Sequence, residues 1–275
     1  MKKYIPKVIG ISLNFYSYIS INNAAEKALQ LFATPRKGKL TEKHLGFLNT
    51  AERKTLSYEK FKIATYKWEG HKDTVLLVHG WESNAARWKK KIKALLKEGY
   101  RVIALDAPAH GDSGSQTFNA ILYAEFINVV ATKFQPKIII GHSVGAMATT
   151  FFMHKFQFNA VEKLVLLGSP SDFKDVFKRY VIMMGYNKAI EEQLDTIIYN
   201  RFGEYPSYFS VANFVKNISQ KGLLIHDTQD KIIPYSDALR IHKNYDDSEF
   251  VSTTGFGHSL KHLDVVNTVM EFINR

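Results

Sequence analysis

The sequence predicts an α/β fold, with a mostly parallel central sheet, helices on both faces and a helical insertion. Two observations carry this expectation. Short apolar runs at residues 75–78, 101–105, 137–140, 163–167 and 222–226 alternate with helical segments through short connections. Each run then ends in a turn rich in Gly, Pro, Ser, His or Asp. Examples are His79-Gly80-Trp81, the loop that begins at Asp106, and Gly168-Ser169-Pro170. In open parallel sheets the functional residues gather at these carboxyl ends.

Taken in order, residues 1–7 are basic and residues 8–21 are mostly apolar and aromatic. Val8, Ile11, Phe15, Tyr18 and Ile19 recur at helical spacing, which predicts an amphipathic helix. Docking of that helix within the molecule and a cytoplasmic location are expected; export and weak membrane-surface contact are the alternatives. Residues 23–32 read as a helix stopped at Thr34-Pro35, 36–43 as a basic loop, 42–54 as a further helix and 60–68 as an early antiparallel strand. Helices follow at 84–97, with Ser83 as a possible cap, at 119–134 and at 146–158. Residues 172–219 carry large apolar groups in helical pattern and no strand, so they read as a cap. A strand at 222–226, a helix at 235–244, a strand around Phe250-Val251 and a closing helix at 259–274 complete the chain. The expected organisation is a basic helical extension over 1–59, a core over 60–171 and 220–275, and a cap over 172–219.

Composition narrows the chemistry. There are no cysteines among the 275 residues, which excludes disulfides, thiolate metal sites and a thiol nucleophile. The net charge of +11 is uneven: residues 1–72 hold 14 Lys/Arg against 5 Asp/Glu, and the remainder is nearly neutral. A nearly neutral main domain argues against nucleic acid as its partner. No stretch reaches the roughly 18 apolar residues of a membrane span.

The segment that organises the rest is Gly141-His142-Ser143-Val144-Gly145, a G-x-S-x-G between a predicted buried strand and a predicted helix. Small residues two before and two after the serine let strand and helix approach closely while the serine occupies the tip of the turn. A serine hydroxyl needs a base, and the base needs a carboxylate to hold its tautomer. The order here is Ser143, Asp230, His258, each after a predicted strand. Asp227 and Asp172 are the alternative acids. Asp106 is expected to brace its own turn, His110 to bond within its loop, His79 to shape the site and His142 to be structural. The amides of Val144 and Trp81 are placed to receive a developing oxyanion.

Together these motifs resemble the α/β-hydrolase superfamily over about residues 60–275, and the resemblance is carried by His79-Gly80-Trp81, the loop from Asp106 to Ser113, the G-x-S-x-G, Asp230-Lys231-Ile232-Ile233-Pro234 and Gly257-His258. It implies Ser143, Asp230 and His258 as triad, Trp81 and Val144 as oxyanion donors, residues 172–219 as cap, and no metal or organic cofactor. The basic N-terminal extension resembles an uncharacterised bacterial subgroup. The implied enzyme is a serine hydrolase of carboxylic-ester type acting on a small, largely hydrophobic substrate, with Trp81, Phe173, Phe177, Met183 and Met184 near it. Acyltransferase or thioesterase chemistry on the same residues, and a non-catalytic binding role, are the rivals. One departure is Ala109, where many members carry glycine, and only a mild backbone difference is expected there.

Overall fold

The computed structural model describes residues 5–275, so Met1 to Tyr4 of the basic N-terminal run lie outside the described residues. The described residues divide into two compact units: those up to 34 with 172–210, and residues 35–171 with 211–275. These boundaries differ from the expected ones. Residues 35–59 belong with the sheet rather than with an N-terminal extension, and the insertion closes at 210 rather than 219.

The larger unit is built on a sheet that has eight strands among the described residues. In chain order it contains α3 (Glu42–Leu48), β1 (Glu52–Tyr58), β2 (Phe61–Trp68), β3 (Lys72–Val78), α4 (Lys89–Lys97), β4 (Tyr100–Leu105), α5 (Ala120–Phe134), β5 (Ile138–His142), α6 (Val144–Phe156) and β6 (Lys163–Leu167). After the insertion it resumes with the short α9 (Val211–Phe214), β7 (Lys221–Asp227), α10 (Tyr235–Asn244), β8 (Ser248–Thr253) and α11 (Leu263–Asn274).

The sheet order is β1-β2-β4-β3-β5-β6-β7-β8, with β1, β2 and β4 paired antiparallel and the rest parallel. The helix expected over 42–54 ends at Leu48, and strand β1 starts at Glu52 in its place. Its sequence, Glu-Arg-Lys-Thr-Leu-Ser-Tyr, lies at the sheet edge and is mostly exposed, so it lacks the apolar alternation that marks a half-buried strand.

The central strands are apolar on both faces because helices cover both. Val75, Leu77, Ile138, Ile140, Val165 and Leu167 pack in one cluster with Trp88, Ile92 and Leu95 before and in α4 and with Val265, Val269 and Phe272 of α11. The alternate residues Leu76, Ile139, Leu164 and Leu166 must face the opposite side, where α5 and α6 lie paired. The chain runs from β3 to β4 on one side and then to β5 on the other, so the order reverses at β3 and β5. A crevice at such a reversal is where sheets of this kind bind ligands.

The smaller unit contains α1 (Ile5–Ser17), α2 (Ile21–Ala33), α7 (Phe173–Met184) and α8 (Lys188–Phe202). The N-terminal residues and the insertion thus form one packed body. Phe32 of α2 meets the rings of Phe173, Phe177 and Tyr180 of α7. Gly10 of α1 lies so close to α7 that an added Cβ would stand 1.8 Å from the Met184 carbonyl oxygen. Asn14 donates to the Gly185 carbonyl at 2.8 Å and accepts from the Asn187 amide at 2.9 Å. The expected N-terminal helix forms, but it docks through Gly10 and Leu13. Val8, Ile11, Phe15, Tyr18 and Ile19, the residues that announced it, are exposed. Among the described residues no helix is long and apolar enough to cross a membrane.

Candidate active site

Strand β5 ends at His142 and α6 begins at Val144, leaving Ser143 alone on the turn with φ +55° and ψ −129°. That left-handed conformation is strained for a residue with a side chain and is held by its surroundings. The Ser143 amide donates to the Leu167 carbonyl at 2.8 Å. At Gly145 an added Cβ would lie 2.4 Å from the His79 carbonyl oxygen, so only glycine permits the approach of α6 to the end of β3. At Gly80 an added Cβ would come within 2.9 Å of the Ser143 Cβ. The pairing of Val78 with Gly141 sets these two strand ends side by side.

His258 follows β8 and Asp230 follows β7. The His258 Nε2 lies 3.0 Å from the Ser143 Oγ, and its Nδ1 lies 2.7 Å from the Asp230 Oδ2. Asp230 is the acid brought to His258. Its Oδ1 accepts from the amides of Ile232 at 2.8 Å and Ile233 at 3.0 Å. His226 Nε2, which bonds the Ile233 carbonyl, stands 3.4 Å from the same carboxylate. Burial opposes ionisation of Asp230, but hydrogen bonds from His226, His258 and the two amides outweigh it and hold the carboxyl well below the usual carboxylate range. An ionised carboxylate only accepts, so His258 carries its proton on Nδ1 and offers the Nε2 lone pair to the serine hydroxyl.

The other acids have different work. Asp227 accepts from the Gln229 amide, the Thr253 hydroxyl and the Phe256 amide, and so ties together the two loops that carry Asp230 and His258. Asp172 belongs to the smaller unit, where its backbone pairs with that of Ser210 in an isolated antiparallel β-bridge. Asp106 is fully buried and braces its loop, accepting from the Tyr66 hydroxyl and the amides of Ala85 and Asp112. Ala109 adopts φ +65°, the conformation glycine would take, so the loop keeps its path with alanine in it.

His79 is buried and neutral: burial pushes its pKa well below the usual imidazole value. It accepts from the Ala107 amide on Nε2 and donates from Nδ1 to the Gly80 carbonyl at 2.8 Å. This fixes the Gly80–Trp81 peptide, because the Trp81 N–H of a trans peptide points opposite to the Gly80 carbonyl. The Trp81 ring packs against His110 and Phe118. His110 bonds the Glu82 amide and the Pro108 carbonyl, as expected of a loop residue. Val144 opens α6, so its amide has no carbonyl one turn earlier to pair with. Phe173, Phe177, Met183 and Met184 lie in the smaller unit. There Phe173 and Phe177 stack on each other, Met184 is buried and Met183 is exposed.

Sequence reasoning missed the support behind His258. Three consecutive carbonyls accept from three side chains: His258 from His142 Nε2 at 2.8 Å, Ser259 from Arg87 at 2.9 Å and Leu260 from Lys91 at 3.2 Å. Arg87 and Lys91 lie about 170 positions from the loop they hold, and no local pattern marks them. Burial, with Arg87 and Lys261 nearby, lowers the Lys91 pKa from 10.5 to about 7. The folded chain therefore binds fewer protons than the unfolded chain between about pH 7 and 10.5, and stability should rise with pH across that window. Below pH 7 the penalty is present in full. In thermal melts against pH, Lys91→Met is expected to flatten this rise; an equal slope in both proteins would refute the assignment.

Comparison with known proteins agrees with the fold. A family model described as the alpha/beta hydrolase fold matches residues 73–210. A putative non-heme chloroperoxidase of Synechocystis sp. is 24% identical, with 71% of this chain and 89% of that protein covered. A thioesterase domain from a curacin biosynthetic pathway superposes with TM-score 0.62 at 18% identity, covering 82% of this chain and 99% of that one. An esterase from Exiguobacterium antarcticum gives TM-score 0.62 at 18% identity, covering 82% of this chain and 100% of that one.

Proposed function

The chain belongs to the alpha/beta hydrolase family, and from that premise we propose that it is a serine hydrolase cleaving an ester-type bond through an acyl-enzyme on Ser143. The observation that supports this reading is the hydrogen-bonded series Ser143–His258–Asp230 on a strained turn at a helix start. In the proposed reaction the Ser143 Oγ attacks the carbonyl carbon while its proton passes to the His258 Nε2. The resulting imidazolium is stabilised by ionised Asp230. The oxyanion forms between the amides of Val144 and Trp81, where loss of one such donor typically lowers the rate about 100- to 1000-fold. His258 then returns the proton to the leaving alcohol, the acyl group remains on Ser143, and water deprotonated by the same histidine releases the acid.

The test is hydrolysis of a chain-length series of p-nitrophenyl esters, together with labelling by a fluorophosphonate probe and peptide mapping. Turnover with the probe attached at Ser143 is the expected result. Absence of both turnover and label would overturn the reading. Product analysis with a competing alcohol or thiol separates transfer to water from transfer to another acceptor.

A further inference from the structure

Helix α1 presents two unlike faces. One is committed to the smaller unit: Gly10 and Leu13 are buried, and Asn14 and Ser17 bond the segment from Gly185 to Asn187. The opposite face gathers Ile5, Val8, Ile11 and Phe15, and Tyr18 and Ile19 continue it past the helix end. These six side chains are between 50% and 85% exposed. The polar residue among them, Ser12, turns its hydroxyl back to the Val8 carbonyl at 3.0 Å. The face cannot be hidden by rotating the helix, because the asparagine bonds and the close contact at Gly10 fix its orientation. Ile182 and Met183, also exposed, precede the Met184 that packs on Gly10 and add apolar surface at the end of α7. A contiguous apolar face of this kind marks an interaction site.

Charge identifies what it meets. Residues 1–25 contain Lys2, Lys3 and Lys7 and no Asp or Glu. Two copies of this chain pairing through α1 would bring lysines together with no acid on either face to answer them. An anionic bilayer supplies both the apolar layer for the aliphatic and aromatic side chains and the negative headgroups for the lysines. Phe15 and Tyr18 suit the headgroup boundary, where aromatic rings concentrate. At 13 residues α1 is about 20 Å long, enough to lie in an interface and too short to cross one.

We propose that the outward apolar face of α1, with its flanking lysines, docks the protein on the surface of anionic membranes. This goes beyond the hydrolase reading and does not depend on it.

The experiment is flotation of the full chain with vesicles of phosphatidylcholine, alone or with about one third phosphatidylglycerol. Deleting the helix would remove packing from the smaller unit, so exposed single substitutions are the better probe. Wild type should float with the anionic vesicles and much less with phosphatidylcholine alone, and added salt should weaken the association. Val8→Glu and Phe15→Glu should each lower the partition coefficient at least about tenfold, with the circular dichroism spectrum unchanged. Turnover of a water-soluble ester by these variants should match wild type, so loss of docking is read apart from any failure of the chemistry. Absence of wild-type flotation on anionic vesicles would overturn the proposal, as would equal flotation of Phe15→Glu. A concentration-dependent dimer that Phe15→Glu dissolves, without vesicle binding, would assign the face to self-association instead.

Discussion

Replacement of Ser143 by alanine is expected to lower kcat on an activated ester by about 10⁴- to 10⁶-fold, leaving the fold intact. The side chain removed is small, and its hydrogen-bonding contact is with His258. The backbone strain at φ +55° is imposed by neighbours that the substitution does not touch: the Leu167 carbonyl and the close approaches at Gly80 and Gly145. Thermal melting should therefore stay near wild type while turnover and fluorophosphonate labelling disappear. Retained turnover would remove Ser143 from the chemistry. A collapsed melting temperature would show that the hydroxyl has a structural role.

Asp230→Asn is expected to lower kcat by about 10⁴-fold with little change in geometry, because an amide presents an N–H where a carboxylate accepts and so favours the wrong imidazole tautomer. It also carries a pH signature. The carboxyl is held well below its usual range in the folded chain, chiefly by bonds from two histidines and two amides acting against burial. Its stabilisation is therefore complete above the ordinary carboxylate pKa of about 4 and is lost as pH falls toward the folded value. Wild type should lose stability on acidification below about pH 4 more steeply than Asp230→Asn. Melting curves of the two proteins against pH measure this. Asp227→Asn is the control: Asp227 holds loop amides and a threonine hydroxyl rather than His258. It should move stability and leave the tautomer of His258 alone. A larger kcat loss for Asp227→Asn than for Asp230→Asn would exchange the two roles.

Much of this molecule is written in short-range pattern. A run such as Ile138-Ile139-Ile140 between helical segments can bury both faces only in the middle of a parallel sheet. A serine flanked at two residues on each side by glycine, between strand and helix, can occupy only a tight turn at the strand end. His258 was legible because the loop after the last strand opens at the same sheet end. Strand β1 was not legible, because a polar edge strand buries too little to leave an alternating signature.

The sequence favours Asp230 as the acid and keeps Asp227 as an alternative, since both occupy one turn three positions apart. The β7–β8 pairing brings the His258 loop over that turn and sets its Nδ1 against Asp230. The grip of His142, Arg87 and Lys91 on the carbonyls of residues 258–260 joins segments more than 100 positions apart and exists only once the sheet is assembled. The face of α1 is the clearest case. Its apolar period announced a helix and implied that this stripe was the buried side. Tertiary packing chose Gly10 and Leu13 instead, because a glycine lets the two backbones touch and an asparagine supplies bonds the stripe cannot. Sequence periodicity determines which residues share a face; which face is covered depends on the shape and hydrogen bonds of the partner it meets.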